Sequence, residues 1–152
     1  MTNSIGDVNL RTLLQVDTLL VLGLMVMSNY TSVLRLKRKV YATPEDYALN
    51  HAAFPDTPRV VNADDPIERS RRIHRNHLEN VLPFLVLSLL YALTNPSDAL
   101  FAALLWGFLA VRVVYTLFYS RSMQPHRTIA YTLGALIQFS IALLTLRAAL
   151  SG

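Results

Sequence analysis

The chain has 152 residues, of which 53% are hydrophobic, and it carries a formal net charge of +4. Its mean hydropathy of +0.34 favours a membrane protein over a soluble helical bundle, in which every helix would need a polar face. The sequence contains no cysteine. Disulfides, cysteine-based metal sites and a protein thiol nucleophile are therefore excluded.

Four apolar stretches follow one another along the chain, and each is long enough for a membrane-spanning helix. They predict spans at about residues 12–36, 68–93, 97–120 and 126–148. We therefore expect one all-α domain over residues 1–152, an integral membrane four-helix bundle with a long loop at about residues 40–65. The N-terminal residues lack a basic region and a small-residue cleavage site, so we expect no cleavable signal peptide.

Basic residues are concentrated on one side of the predicted bundle. Most arginines and lysines lie between spans one and two, and Arg121 and Arg127 lie between spans three and four. Arg11 and Arg147 lie near the opposite side. The positive-inside rule predicts that both basic loops are cytosolic and that both termini lie on the far side. A nucleic-acid surface is disfavoured, because the charges border a membrane and no aromatic stacking platform accompanies them.

Helix-start signals occur at regular points along the chain. Pro44, Pro66 and Pro96 each follow a capping residue and precede an acidic residue at the third helical position, and Pro125 has a weaker signal. This pattern predicts helix starts at these prolines, with a short cytosolic helix at Pro44. Pro83 is expected to kink the second span beside its polar residues.

A polar stripe extends from the cytosolic end of span two into its apolar part. Residues 68–79 have the pattern Glu-Arg-x-x-Arg-x-x-x-Asn-x-x-Glu. Glu79 is predicted about 7–8 Å inside the hydrocarbon, where a carboxylate is costly unless it is paired. We expect Glu79 to contact a ligand, to neutralise Arg112, or both, whereas His77 lies off the stripe and is assigned no role. The stripe, about 120° wide, consists of Arg69, Arg72, Arg75, Asn76 and Glu79.

Spans three and four carry polar stripes of their own. Arg112, Tyr115 and Tyr119 share one face of span three, and Arg127 and Tyr131 share one face of span four. Guanidinium groups bind carboxylates and a carboxylate can bind an ammonium, so the pattern fits a small zwitterion such as glutathione. The spacing alone indicates only an anionic ligand rich in hydrogen-bonding groups. Tyrosines at this depth are also typical of an interfacial aromatic belt.

Several segments of the chain resemble the MAPEG superfamily, the membrane-associated proteins of eicosanoid and glutathione metabolism. These are residues 35–46, 65–69, 74–84, 112–119 and 124–131, and the pattern at residues 68–79 is specific. The resemblance covers nearly the whole chain. It implies a homotrimer of four-helix subunits, with glutathione bound at each subunit interface near the cytosol.

The resemblance also implies roles for individual residues. Arg127 is implied beside the glutathione sulfur, with Thr128 next to it, and Asp46 matches an acidic residue proposed to assist isomerisation in one branch of the family. Tyr115 stands where members usually have His, and Thr128 stands where the isomerase branch has Ser. A structural charge pairing is expected among Arg112, Glu79 and Arg72. The implied glutathione contacts are Arg35, Arg75, Asn76, Glu79, Tyr115, Tyr119, Arg127, Thr128 and Tyr131.

The activity implied by the resemblance is that of a membrane-bound glutathione transferase, which stabilises the glutathione thiolate for attack on apolar electrophiles. Glutathione peroxidase activity on lipid hydroperoxides is also expected. One alternative is a glutathione-dependent isomerase of the prostaglandin E synthase type, and a second is a non-catalytic lipid-presenting scaffold. Expected partners are glutathione, a lipophilic electrophile or lipid peroxide, and membrane lipids, without metal or nucleic acid. The expected location is the endoplasmic reticulum membrane in a eukaryote or the cytoplasmic membrane in a bacterium, with the active site facing the cytosol.

Overall fold

The computed structural model describes residues 5–41, 44–53, 55 and 65–151, and in these residues it contains helices and no strand. The side chains of residues 44, 46, 49, 50, 53 and 65 lie outside the described part. Four of the described helices are long and apolar enough to cross a membrane, and their spans are Asp7–Arg38, Pro66–Leu93, Asp98–Ser120 and His126–Ser151. The chain is therefore an all-α, multi-pass membrane protein. The helices are α1 (Asp7–Arg38), α2 (Pro44–Ala53), α3 (Asp65–Leu93), α4 (Asp98–Ser120) and α5 (His126–Ser151).

The four long helices pack around a shared apolar core. Helix α3 contacts α1, α4 and α5, and α4 also contacts α1 and α5. The rings of Phe84 on α3 and Phe108 on α4 stack with centroids 3.8 Å apart and an interplanar angle of 5°. Both rings are fully buried, as are Leu105 on α4 and Ile141 on α5. This packing sets the rotation of α3 and α4, and so it decides which polar residues face the interior.

Polar bonds between helices set the position of α1 against α3. The hydroxyl groups of Thr31 on α1 and Ser70 on α3 are 2.7 Å apart. Nearer the other end of the bundle, the Ser88 hydroxyl donates to Asp17 Oδ2 over 2.9 Å. In an apolar surrounding, no water is available to bond these polar groups. The bonds between α1 and α3 therefore favour one register of the two helices.

The helix starts follow the proline signals with one exception. Helices α2 and α3 begin at Pro44 and Asp65, and α3 continues through Pro83 without interruption. Helix α4 begins at Asp98 with Ser97 at the N-cap. The predicted start at Pro96 is two residues early, because Asn95 adopts a left-handed conformation with φ of 55° and belongs to the preceding turn.

Candidate functional site

Arg112 lies at the inner end of the candidate site and is 2% exposed. Its Nη2 atom donates to Asn76 Oδ1 over 2.7 Å and lies 3.3 Å from His77 Nδ1. Its guanidinium carbon is 4.7 Å from the centre of the Tyr115 ring. Helices α3 and α4 thus hold this charge between an amide, an imidazole and an aromatic face, which provide polar and cation–π contacts.

His77 connects Arg112 to a second polar group on α4. An arginine can only donate hydrogen bonds, so Nδ1 of His77 is the acceptor in that contact and the ring proton lies on Nε2. Nε2 then donates to the Thr116 hydroxyl over 2.7 Å, and this hydroxyl donates to the Arg112 carbonyl over 3.0 Å. Sequence periodicity assigned His77 no role, because it lies off the polar stripe. An ionisable residue inside the predicted span at residues 68–93 was the signal that could have identified it.

Two tyrosine rings lie between two arginines along a line from Arg112 towards the end of α4. The ring of Tyr115 contacts Arg112, and its centroid is 5.6 Å from that of Tyr119. Arg127, in the first turn of α5, places its guanidinium carbon 4.8 Å from the centre of the Tyr119 ring. We call Arg112, Tyr115, Tyr119 and Arg127 the charged–aromatic array. It forms a continuous series of ring and guanidinium contacts from the buried Arg112 to the first turn of α5.

Gln124 holds the two residues at the start of α5. In the amide orientation that satisfies both neighbours, its oxygen accepts from the Arg127 guanidinium, and its nitrogen donates to the Thr128 hydroxyl over 3.0 Å. The backbone amides of Arg127, Thr128 and Ile129 already donate to carbonyl groups of the turn. A ligand at this helix end would therefore bind the Arg127 side chain rather than these amides. Sequence analysis had assigned Gln124 no role.

The single subunit does not place Glu79 against Arg112, so their predicted pairing stays a prediction for the assembled protein. Asn76 accepts from Arg112 instead, and Glu79 is exposed with no hydrogen bond or ion pair to the residues that the structure describes. The reason is the rotation of α3, whose buried face contains Val81 and Phe84 and leaves Glu79 to one side. Arg72, the third member of the expected pairing, is also exposed.

The other predicted glutathione contacts lie on two separate surfaces. Arg35 and Arg75 line a groove of about 310 Å³ between α1 and α3, together with His74. Tyr131 is 42% exposed and lines a cavity of about 240 Å³ between α3 and α5. The single subunit therefore brings together Asn76 and the charged–aromatic array, and Tyr131 lies close enough to interact electrostatically with Arg112 and Tyr115. It does not bring Arg35, Arg75 and Glu79 to that array.

Two predicted catalytic residues, Thr128 and Asp46, have few or no described side-chain contacts. Thr128 is exposed and contacts Gln124. The backbone of Asp46 belongs to α2, but its side chain lies outside the described part of the chain. Its proposed role therefore stays a prediction. Within the described residues, no group of three or more histidines and carboxylates is arranged to hold a metal ion.

Comparison with known proteins identifies a family for this chain. The model of the MAPEG family matches residues 13–147, which include all of α3 and α4 and most of α1 and α5. The chain belongs to the MAPEG family. The resemblance seen in the sequence is thereby confirmed, and the polar residues described above lie inside the matched region.

Relatives of this MAPEG protein include two kinds of enzyme. Microsomal glutathione S-transferase 1 from Homo sapiens is 34% identical over 126 residues, which are 82% of this chain and 81% of the relative. Prostaglandin E synthase from Macaca fascicularis is 37% identical over 128 residues, 84% of this chain and 81% of the relative. The prostaglandin E synthase from Homo sapiens is 36% identical over the same shares. The first name states a glutathione transfer, and the second states the synthesis of prostaglandin E.

Proposed function

We propose that this MAPEG protein is a membrane-bound glutathione transferase, which stabilises the thiolate of glutathione for attack on an apolar electrophile. The observation that carries the proposal is Arg127. Its guanidinium lies against the Tyr119 ring in the first turn of α5, and Gln124 supports it. The names of the two kinds of relative support a reaction of this class.

The chemistry follows from placing a cation next to a thiol. A free cysteine thiol has a pKa of about 8.5, and a neighbouring arginine lowers this value because it stabilises the negative charge on sulfur. We assign this role to Arg127, with Tyr119 and the Thr128 hydroxyl as further donors to the sulfur. In conjugation, the thiolate forms a bond to the electrophilic carbon, and the leaving group departs with the bonding electrons of the bond that breaks.

The remaining charges of glutathione match side chains on α1 and α3. Arg35 and Arg75 are two cations for its two carboxylates, and Glu79 is one anion for its single ammonium group. The exposed position of Glu79 fits this role, because a carboxylate within the spanning helix α3 needs a charged partner. The charge composition of these residues therefore fits glutathione, and Tyr131 is proposed as a further contact.

A second copy of the chain is proposed to complete the site. Arg35 and Arg75 lie in the α1–α3 groove, whereas Arg127 lies at the α4–α5 end of the charged–aromatic array. One small tripeptide can contact both groups if the α1–α3 surface of one subunit meets the α4–α5 surface of its neighbour. Since the two surfaces differ, the contact is heterologous, and such a contact forms a ring when its rotation closes. We propose that the ring is the homotrimer that the resemblance implies.

Peroxidase activity is proposed for the same thiolate. The thiolate attacks the terminal oxygen of a lipid hydroperoxide, which breaks the O–O bond, forms glutathione sulfenic acid and releases the lipid alkoxide, which is protonated to the alcohol. A second glutathione thiol attacks the sulfenic acid sulfur, forms the disulfide and releases water. The balance is one hydroperoxide and two glutathiones to one alcohol, one glutathione disulfide and one water. Apolar substrates of this kind partition into the bilayer, so we propose that they enter from the lipid side.

An isomerase of the prostaglandin E synthase type is the second candidate, because relatives with that name are as similar to this chain as the transferases. The thiolate would then open an endoperoxide, and glutathione would be regenerated when the product forms. Asp46 is the proposed proton-transfer residue in that reaction. A lipid-presenting scaffold is disfavoured, because the sequence retains both Arg127 and Tyr131.

Glutathione mass balance distinguishes these reactions. Purified protein in detergent would be incubated with glutathione and either a chloronitrobenzene electrophile, a lipid hydroperoxide or a prostaglandin endoperoxide. A transferase consumes one glutathione per product, a peroxidase consumes two, and an isomerase consumes none. We expect consumption with the first two substrates. Turnover of the endoperoxide alone, without glutathione loss, would replace the transferase with the isomerase, and no turnover of any substrate would favour the scaffold.

The proposed location follows from the distribution of charge. The basic residues at the end of α1 and the start of α3 favour a cytosolic position for this end of the bundle. The charged–aromatic array ends on the same side, so we propose that the site faces the cytosol. The membrane is proposed to be the endoplasmic reticulum in a eukaryote or the cytoplasmic membrane in a bacterium.

A further inference from the structure

Tyr115 is a buried tyrosine whose hydroxyl group has no part in the thiolate chemistry described above. Only 4% of the residue is exposed, yet its hydroxyl oxygen keeps some accessible surface. No residue in the described part of the chain forms a hydrogen bond with this hydroxyl. A buried tyrosine usually has a partner for its O–H group. The unused donor on Tyr115 therefore favours a bound molecule with an acceptor atom.

Three contacts hold the Tyr115 ring in place. The guanidinium carbon of Arg112 lies 4.7 Å from the ring centre, and the Tyr119 ring lies 5.6 Å away between centroids. The His77 imidazole meets the ring edge-on, with centroids 6.1 Å apart and an interplanar angle of 84°. Because these contacts come from α3 and from both neighbouring turns of α4, they fix the direction of the hydroxyl. A donor fixed in this way is preorganised for an acceptor.

The Tyr115 hydroxyl lies deeper in the membrane than the proposed thiolate. Tyr119, which contacts Arg127, follows Tyr115 by one helical turn, about 6 Å along α4. Tyr115 is also within electrostatic range of Arg127 and Tyr131. Tyr131 lines the cavity of about 240 Å³ between α3 and α5. An apolar electrophile that approaches the sulfur from the hydrocarbon therefore comes close to the Tyr115 hydroxyl.

We propose that Tyr115 is the proton donor to the oxygen atom of the second substrate, so that it acts on the electrophile and not on the sulfur. This assignment rests on the transferase and peroxidase activity proposed above. With a hydroperoxide, the thiolate sulfur bonds to the terminal oxygen, the O–O bond breaks, and the departing alkoxide oxygen takes the Tyr115 proton. The phenolate then regains the proton that the glutathione thiol released on ionising. One thiol and one hydroperoxide thus give one sulfenic acid and one alcohol.

The cations near Tyr115 suit this proton transfer. Loss of the proton leaves a negative charge on the phenolic oxygen, and Arg112 against the ring and Arg127 within electrostatic range both stabilise that charge. The same hydroxyl can donate to the oxygen of a nitroarene or an enone as charge develops there. An alkyl iodide develops its charge on the iodide and needs no such donor. Tyr115 therefore favours electrophiles whose transition state places negative charge on oxygen.

Tyr115→Phe removes the hydroxyl and keeps the ring that contacts Arg112, so the variant is expected to fold. Tyr91→Phe is the matched control, because Tyr91 is equally buried and lies near the opposite end of the bundle. Each full-length protein, in detergent, is mixed with glutathione until the ultraviolet absorbance of the thiolate is constant. It is then mixed rapidly with cumene hydroperoxide or 1-iodohexane, and the loss of thiolate is followed over a single turnover. Thermal unfolding of each variant checks its fold.

Tyr115→Phe should form as much thiolate as the parent protein, because the hydroxyl does not act on the sulfur. Its single-turnover rate with cumene hydroperoxide should fall by about 10²-fold, as expected for the loss of a general acid. Its rate with 1-iodohexane should equal that of the parent. Tyr91→Phe should match the parent with both substrates. Slowing that is confined to the hydroperoxide is a result that a purely structural role for Tyr115 does not produce.

Three results would contradict the assignment of Tyr115. An unchanged rate with the hydroperoxide would show that water protonates the departing oxygen. Equal slowing with both substrates would show a structural effect on the whole site, and loss of the thiolate would place the hydroxyl at the sulfur. Each of these results leaves the transferase activity of the parent intact. A parent protein that consumes thiolate with neither substrate would instead overturn the proposed activity, and the assignment of Tyr115 with it.

Discussion

Arg112 is the residue whose surroundings constrain the site most strongly. It is a cation on a membrane-spanning helix, and its position depends on one short bond to the amide of Asn76 and on contacts with His77 and Tyr115. Breaking a hydrogen bond to a buried charge leaves a donor without an acceptor, which costs more than the bond contributes when it is intact. The stability of the subunit should therefore respond to Asn76 more than to Glu79.

Asn76→Ala is expected to lower the free energy of unfolding by about 1–3 kcal/mol, because Arg112 Nη2 loses its closest acceptor. Glu79→Gln should leave the unfolding temperature unchanged and weaken glutathione binding, since Glu79 is exposed and its proposed partner is the ligand ammonium. Thermal unfolding in detergent and glutathione titration measure the two effects. Equal destabilisation by both changes would show that Glu79 is the counter-ion of Arg112 in the assembled protein.

Arg127→Ala is expected to lower kcat by about 10²–10³ and to change the glutathione KM much less, because the guanidinium stabilises charge on sulfur. Arg127→Lys should retain part of the activity, since the charge remains while the planar fork is lost. Arg121→Ala is the matched control, because it removes the same charge from an exposed position near the same helix ends. If Arg121→Ala lowers kcat as much as Arg127→Ala does, the effect is one of net charge at the membrane surface.

At the scale of the helices, the sequence pattern predicted correctly that Arg112 and Tyr115 lie on one face of α4 and that Arg127 lies at the start of α5. It could not predict which residue of α3 faces Arg112. At 100° per residue, Asn76 lies about 60° from Glu79 and about 100° from His77 around the helix axis, so the rotation of α3 decides which of them faces Arg112. That rotation is set by tertiary packing, above all by the stacked rings of Phe84 and Phe108, and packing partners are not visible in one sequence.

The start of α4 illustrates the same limit for helix boundaries. The dipeptide Asn95-Pro96 has the composition of a helix start, but the structure uses Asn95 for a left-handed turn and Ser97 as the N-cap. Composition therefore located the turn and misplaced the boundary by two residues. The division of the predicted ligand contacts between separate surfaces was also not predictable from periodicity, because it depends on how all four long helices are arranged.

Substitutions of Gly134 test the packing of α5 against α4. A Cβ atom added there would lie 3.5 Å from Val111 Cγ1 and 3.8 Å from Phe108 Cε2, which are ordinary contact distances. Gly134→Ala should therefore raise the free energy of unfolding by about 0.5–1 kcal/mol through helix propensity. Gly134→Leu should lower it by about 1–3 kcal/mol through overpacking. Thermal unfolding measures both, and a destabilising alanine would mean that α4 and α5 are closer than this packing indicates.

At the scale of the whole molecule, charge asymmetry and the four spanning helices together predict the topology. An even number of spans places both termini on one side, and the basic end of the bundle favours the cytosol for the other side. Tags at the N-terminus and the C-terminus should therefore be protected in sealed vesicles whose cytosolic face is outward, and a tag in the loop before α3 should be accessible. An accessible C-terminal tag would reverse the orientation and the side of the proposed site.

The central claim is that this protein converts the glutathione thiol to a thiolate at Arg127. The thiolate absorbs in the ultraviolet and the thiol does not, so mixing the protein with glutathione reports its formation directly. At a pH more than one unit below the ordinary thiol pKa of about 8.5, the parent protein should produce a saturable rise in absorbance. Arg127→Ala should produce none, and Arg121→Ala should match the parent. A parent protein without the rise, or an Arg127→Ala variant with the full rise, would contradict the account.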